Sequence, residues 1–128
     1  MPVVVTGGDE PLGRALVEAL AAALLPLGGE VRAVVGTRAG QRALVPLGVR
    51  AALVPLDDVD VLAAVLQGAH TLVHAAGAEP ADTLPAVAAA ARDAGVARLL
   101  VVTGREVEGA VAPGEGVVAS VLAADAER

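Results

Sequence analysis

Few residues of this chain can take part in chemistry, and most of those lie in two short segments. The first is Thr6-Gly7-Gly8-Asp9-Glu10-Pro11-Leu12-Gly13, set between an apolar run and a helix-patterned stretch. A strand, a glycine-containing turn and a helix in succession bring the unpaired amides of a helix start up to the turn, an arrangement that lays a phosphate or pyrophosphate on that helix end. The second segment is His74-Ala75-Ala76-Gly77, closing a later apolar run. As a general base His74 would need a partner and an oriented substrate. None is evident, and a strand-end histidine held by hydrogen bonds is the expected role. His70 reads as a surface turn residue, and Ser120, with no neighbouring base, as an ordinary helix serine. The two histidines and scattered carboxylates show no metal-ligand spacing, so no metal is expected.

The residue types that are missing narrow the chemistry further. The chain has 128 residues, with 9 arginines and no lysine against 15 acids, for a formal net charge of −6. It contains no Cys, Trp, Tyr or Phe, although 55% of its residues are hydrophobic. Disulfides, thiolate nucleophiles and cysteine metal sites are therefore excluded within it. So is any mechanism in which this chain supplies a phenol or an amine. Base stacking is excluded, and the acidic balance argues against binding a nucleic-acid backbone. The length suits one domain, 1–128, with a core of Val, Leu and Ala. The longest uncharged apolar stretch, Ala19 to Gly29, is too short to span a bilayer. No basic segment precedes a hydrophobic one at the amino terminus. A cytoplasmic protein without membrane contact is expected.

The elements that must position these residues follow from the spacing of apolar positions. Val3–Thr6 predicts a buried strand, because its apolar residues do not alternate with polar ones. Leu12, Ala15, Leu16, Ala19, Leu20 and Ala23 predict a helix stopped by Gly28 and Gly29. Strands are predicted at Val31–Val35, Ala51–Val54, Thr71–His74 and Arg98–Thr103. Helices are predicted at Gln41–Leu47, from the cap Asp58 to about Gln67, and at Thr83–Ala94. Gly104–Gly116 reads as a loop and Val117–Glu127 as a final helix; no repeats stand out. Strict alternation of strand and helix implies an α/β fold with a doubly wound parallel sheet of about five strands, in order 3-2-1-4-5. Ligands of such sheets bind at the carboxyl ends of the strands, near the switch between strands 1 and 4.

Thr6-Gly7-Gly8 through Leu12-Gly13-Arg14 resembles the short-chain dehydrogenase/reductase superfamily, in its extended and atypical, epimerase/dehydratase-like branches with an NAD(P)-binding Rossmann fold. GVRAALVPLDDVDVLAAVLQGAHTLVHAAG and DAGVARLLVVTG resemble later parts of that fold in the same order, so the resemblance runs from residue 3 to about 104. It implies a dinucleotide cofactor held by Thr6, Gly7, Gly8, Glu10, Leu12 and Gly13, with Ala75, Ala76 and Gly77 near the nicotinamide ribose. At the end of the second strand, where the family places an acid for NAD or a base for NADP, stands Gly36. Arg38, two residues on, could serve a phosphate, which slightly favours NADP over NAD; otherwise it is a solvated loop arginine.

The departures from the family matter as much. Its middle glycine falls on Glu10. A carboxylate about 4 Å from a phosphate charge costs roughly 4 kcal/mol at an effective dielectric of about 20, or about three decades of affinity. Alternatively Asp9, Glu10 and Pro11 simply favour a helix start, with Glu10 capping its own helix where the phosphate would lie. Thr103 stands near the family's catalytic hydroxyl position, but the Tyr and Lys of its reductases and epimerases are absent. No catalytic residue is therefore assigned. The expectation is a truncated, degenerate and non-catalytic Rossmann protein that binds a dinucleotide weakly, senses one or serves as an interaction module. Two alternatives stay open: an oxidoreductase- or epimerase-like subunit whose partner supplies the catalytic groups, and a structural homo-oligomer assembled through the exposed edge of strand 5 or the last helix.

Overall fold

Three successive valines favour an extended strand buried on both faces, and in the computed structural model, which describes residues 2–75, 80–103 and 118–123, they form the core of strand β1 (Pro2–Thr6). With β2 (Glu30–Val35), β3 (Arg50–Leu53), β4 (Thr71–Ala75), β5 (Arg98–Thr103) and β6 (Val118–Ala123) it makes one sheet in the order β3-β2-β1-β4-β5-β6, every neighbouring pair parallel. Among the described residues four helices connect the strands: α1 (Pro11–Leu24), α2 (Arg38–Leu44), α3 (Val59–Val65) and α4 (Pro80–Ala94). The expected 3-2-1-4-5 order of a doubly wound α/β sheet is present.

Alternation along β1, β2, β4 and β5 divides the interior into two cores. Val4, Val34, Leu72, Leu99 and Val101 face one side, where they pack with Leu62, Leu66, Leu84 and Val87 from the α3 and α4 regions. Val5, Val31, Val35, Val73 and Val102 face the other, against Val17 and Ala21 of α1 and Leu44 of α2. Among the described residues the hydrophobic clusters of both layers are aliphatic, each fully buried Val or Leu contributing about 1.5–3 kcal/mol.

The helix ends follow local chemistry. Asp58 caps α3, its Oδ1 accepting from the Val61 N–H at 3.2 Å. Thr37 caps α2 by accepting from the Gly40 N–H at 3.0 Å, so that helix begins three residues before the expected Gln41. Pro26 and Pro46 remove helical N–H donors, and both α1 and α2 tighten into 3₁₀ turns, Leu25–Leu27 and Val45–Leu47. The Pro-Leu-Gly segment common to these two ends is a short repeat that the sequence reading passes over. On β2, Arg32 reaches the carboxyl end of α3, donating to the carbonyls of Val65 (3.0 Å) and Gln67 (2.7 Å), and pairs with Glu30 at 2.9 Å.

The final helix is corrected. Val118–Ala123 is a strand, paired with β5 from Arg98↔Val118 to Thr103↔Ala123. A short apolar run does not distinguish a buried strand from a helix by periodicity, and the unpaired backbone of β5 supplies hydrogen bonds that a strand can use. Among the described residues, neither surface named for homo-oligomer assembly is therefore found: β5 is not the sheet edge, and the last described element is not a helix. The expected loop Gly104–Gly116 lies outside the described residues.

Candidate functional site

β1 is flanked by β2 on one side and β4 on the other, so the chain order switches at the β1–β4 pair. The glycine turn sits at the carboxyl end of this pair. Gly7 has φ 72°, a left-handed conformation that side chains rarely adopt, and a Cβ there would lie 2.9 Å from the Ala75 carbonyl oxygen. At Gly13 a Cβ would run into the carbonyl oxygen of Gly7. The turn is thus folded back on the first turn of α1 and pressed against the end of β4, with the Glu10 N–H donating to Gly7 at 3.0 Å.

Among the described residues, this packing leaves the helix start without a cap. Pro11 occupies the first position and has no N–H to offer. The Arg14 N–H donates to the Glu10 carbonyl at 2.8 Å. Between them, the N–H groups of Leu12 and Gly13 meet no acceptor among the described residues, and no side chain caps the helix. These amides stand at the positive end of a 14-residue helix, where an anion is stabilised by hydrogen bonds and by the aligned peptide dipoles. The residues present therefore fit a dinucleotide phosphate, through backbone amides and a turn that side chains would fill.

Glu10 does not cap its own helix. It is the N-cap residue in extended conformation, exposed, with no side-chain capping bond. The acid held in place is Asp9. Its Oδ2 accepts from the Gly36 N–H at 3.1 Å and the Thr37 hydroxyl at 3.4 Å, reaching from the glycine turn to the end of β2.

Three further residues meet at the ends of β1, β4 and α4. Thr6 and His74 are fully buried register partners, their Oγ1 and Nδ1 atoms 2.5 Å apart. The other ring nitrogen, Nε2, lies 2.9 Å from the Thr83 hydroxyl. Burial lowers the His74 pKa to about 4, so the ring is neutral near pH 7. With both nitrogens engaged it locks the strand ends together, as expected for a strand-end histidine.

The expected cofactor residues are thus only partly brought together. Gly7, Gly13, the Leu12 amide and Ala75 converge on the turn. Gly8 is buried, its N–H donating to Val34 at 3.0 Å and its Cα facing Ala33 and Leu44, so it supports the turn from the core side. The Leu12 side chain also packs into the core, and the Thr6 hydroxyl is spent on His74. Arg38 is exposed at the first position of α2. Ala76 and Gly77 lie outside the described residues. The sequence reading misses Asp9 as a tether and Thr83 as the partner of His74, because both contacts join residues distant in the chain or on different elements. Gly40, where a Cβ would collide with that of Asp9, is the one sequence trace of the tether.

No protein-family model matches the sequence, and no curated protein does. Solved structures do. The NADPH-dependent quinone oxidoreductase of Escherichia coli complexed with NADPH is 25% identical, with a TM-score of 0.68 over 78% of this chain and 36% of its own. The triphenylmethane reductase of Citrobacter sp. complexed with NADP(H) is 26% identical, with a TM-score of 0.66 over 80% of this chain and 37% of its own. A nucleoside-diphosphate-sugar epimerase from Pseudomonas aeruginosa, 21% identical, shares the fold with a TM-score of 0.68 over 80% of this chain and 33% of its own. The structural neighbours are thus reductases and an epimerase of the extended short-chain dehydrogenase/reductase superfamily with an NAD(P)-binding Rossmann fold. The chain spans about a third of their length.

Proposed function

We propose that this chain is a dinucleotide-binding module of the NAD(P) type that performs no hydride transfer by its own side chains. The observation carrying the reading is the glycine turn, in which Gly7 at φ 72° and the close-packed Gly13 bring to the β1–β4 switch point two amides that meet no acceptor among the described residues. Two of the structural neighbours are complexed with NADPH or NADP(H), which supports a dinucleotide as the ligand class. Bound there, such a cofactor would supply hydride chemistry. The chain would contribute the phosphate grip through the Leu12 and Gly13 amides and the wall formed by Ala75.

The non-catalytic part of the proposal rests on residue types. Neither Tyr nor Lys occurs in the 128 residues, and the one histidine near the switch point has both nitrogens committed to Thr6 and Thr83. Calorimetric titration with NAD+, NADH, NADP+ and NADPH tests the reading. Saturable binding of at least one, with no reduction of quinones by the purified chain, is the expected result. Turnover by the chain alone would refute the non-catalytic part, and absence of all binding would refute the rest.

A further inference from the structure

Asp9 belongs by sequence to the phosphate turn, but its carboxylate lies elsewhere. Oδ2 accepts the Gly36 N–H at 3.1 Å and the Thr37 hydroxyl at 3.4 Å, and Thr37 in turn accepts the Gly40 N–H at 3.0 Å. The side chain is thereby fixed against the carboxyl end of β2 and the first residues of α2. Gly40 leaves room for it: a Cβ at that position would collide with the Asp9 Cβ. The second oxygen, Oδ1, has no hydrogen bond among the described residues.

In a dinucleotide-binding sheet the adenosine ribose lies at the end of the second strand, where an acid accepts its 2′-hydroxyl and a base pairs with a 2′-phosphate. Here the strand ends at Val35 and is followed by Gly36, which has no side chain to do either. The carboxylate at this place comes instead from the turn after β1. We infer that Asp9 is the selector of the coenzyme: its free oxygen accepts the 2′-hydroxyl of NAD(H), and its charge repels the 2′-phosphate of NADP(H). The selection rests on the dinucleotide reading above and sharpens it. It runs opposite to the NADP preference that Arg38 suggests by sequence alone. Arg38 is exposed at the start of α2, with no hydrogen bond or ion pair fixing its guanidinium among the described residues. Asp9 is held in place by two hydrogen bonds at the ribose position itself.

The test measures NADH and NADPH affinities by nicotinamide fluorescence, which a chain without Trp, Tyr or Phe does not obscure. Asp9→Asn removes the charge while keeping an acceptor for the Gly36 N–H, and Asp9→Ser is a second variant; a melting curve accompanies each. The wild-type chain is expected to bind NADH roughly tenfold more tightly than NADPH, a difference of about 1.4 kcal/mol. Both variants should bring the two affinities to within roughly threefold, chiefly by tightening NADPH. Equal affinities or an NADPH preference in the wild-type chain would overturn the assignment, and these suffice even if neither variant folds. Equal weakening of both coenzymes in the variants would also overturn it, since that is the mark of a merely structural tether. Failure of wild type and variants to bind either coenzyme would instead sink the dinucleotide reading, and the selector with it.

Discussion

The Nδ1 atom of His74 and the hydroxyl oxygen of Thr6 lie 2.5 Å apart, joining β4 to β1 one residue before the glycine turn begins. The ring is 1% exposed, and its second nitrogen meets Thr83 on α4. One neutral imidazole thus holds three elements together at the carboxyl end of the β1–β4 pair, and protonating it would leave a buried charge with no counter-charge among its bonded partners.

Acid should therefore weaken the fold through this residue. Burial lowers its pKa from 6.5 to about 4 in the folded chain. Between those values the unfolded chain binds the proton and the folded chain does not. The stabilisation is complete above about pH 6.5 and is lost as pH falls towards 4, by ~3 kcal/mol at most. Urea midpoints at pH 7.5 and 4.5 should fall further for the wild-type chain than for His74→Gln, which cannot take up a proton; the difference between the two isolates the histidine from the carboxylates.

Gly13→Ala places a methyl group against the Gly7 carbonyl. Overpacking of this kind costs about 1–3 kcal/mol, and the turn must move to relieve it. The variant should unfold at lower urea than wild type. Under conditions where it is folded, its NADH affinity should still be lost, which separates distortion of the cradle from simple instability.

Arg32 offers the complementary case. Its guanidinium serves the Val65 and Gln67 carbonyls and Glu30, whose carboxyl it holds below the usual range chiefly through their hydrogen bond. Arg32→Ala should lower stability by about 1.5–3 kcal/mol, the range for a hydrogen bond to a charged group. NADH affinity of the folded variant should not change, because Arg32 bonds to neither the turn nor α1.

Glu10 replaces the glycine that the resemblance would place midway along the turn. Its exposure alters the expected size of the effect. A like-charge pair at about 4 Å costs about 4 kcal/mol at an effective dielectric of 20 but only about 1 kcal/mol in bulk water. Glu10→Gly should then tighten dinucleotide binding by roughly fivefold, nearer the lower figure. Calorimetry that shows no change would remove Glu10 as a barrier, and a gain of three decades would show that it closes the site.

The legible parts of this fold are those written in local patterns. Arg98–Thr103 is read to the residue, and Asp58 is read as a helix cap, because apolar runs and capping residues act within a few positions of themselves. Val118–Ala123 is misread because its short apolar run suits either element and only the neighbouring strand decides. In the site, Gly7 and Gly13 are legible because their backbone demands are local. The partners of His74, at positions 6 and 83, and the reach of Asp9 to Gly36 are set by which strands lie side by side. No spacing rule within one segment reports such contacts. Reading Asp9 merely as an acid favoured at a helix start misses the tether for that reason.

The most direct measurement of the dinucleotide cradle is a titration of the isotopically labelled chain with NADH, followed through its backbone amide resonances. The Leu12 and Gly13 signals should shift progressively and saturate together as their N–H groups take up the phosphate. Shifts confined to other parts of the sheet, or no saturable change at these two amides up to about 1 mM, a binding free energy of only about −4 kcal/mol, would contradict the account.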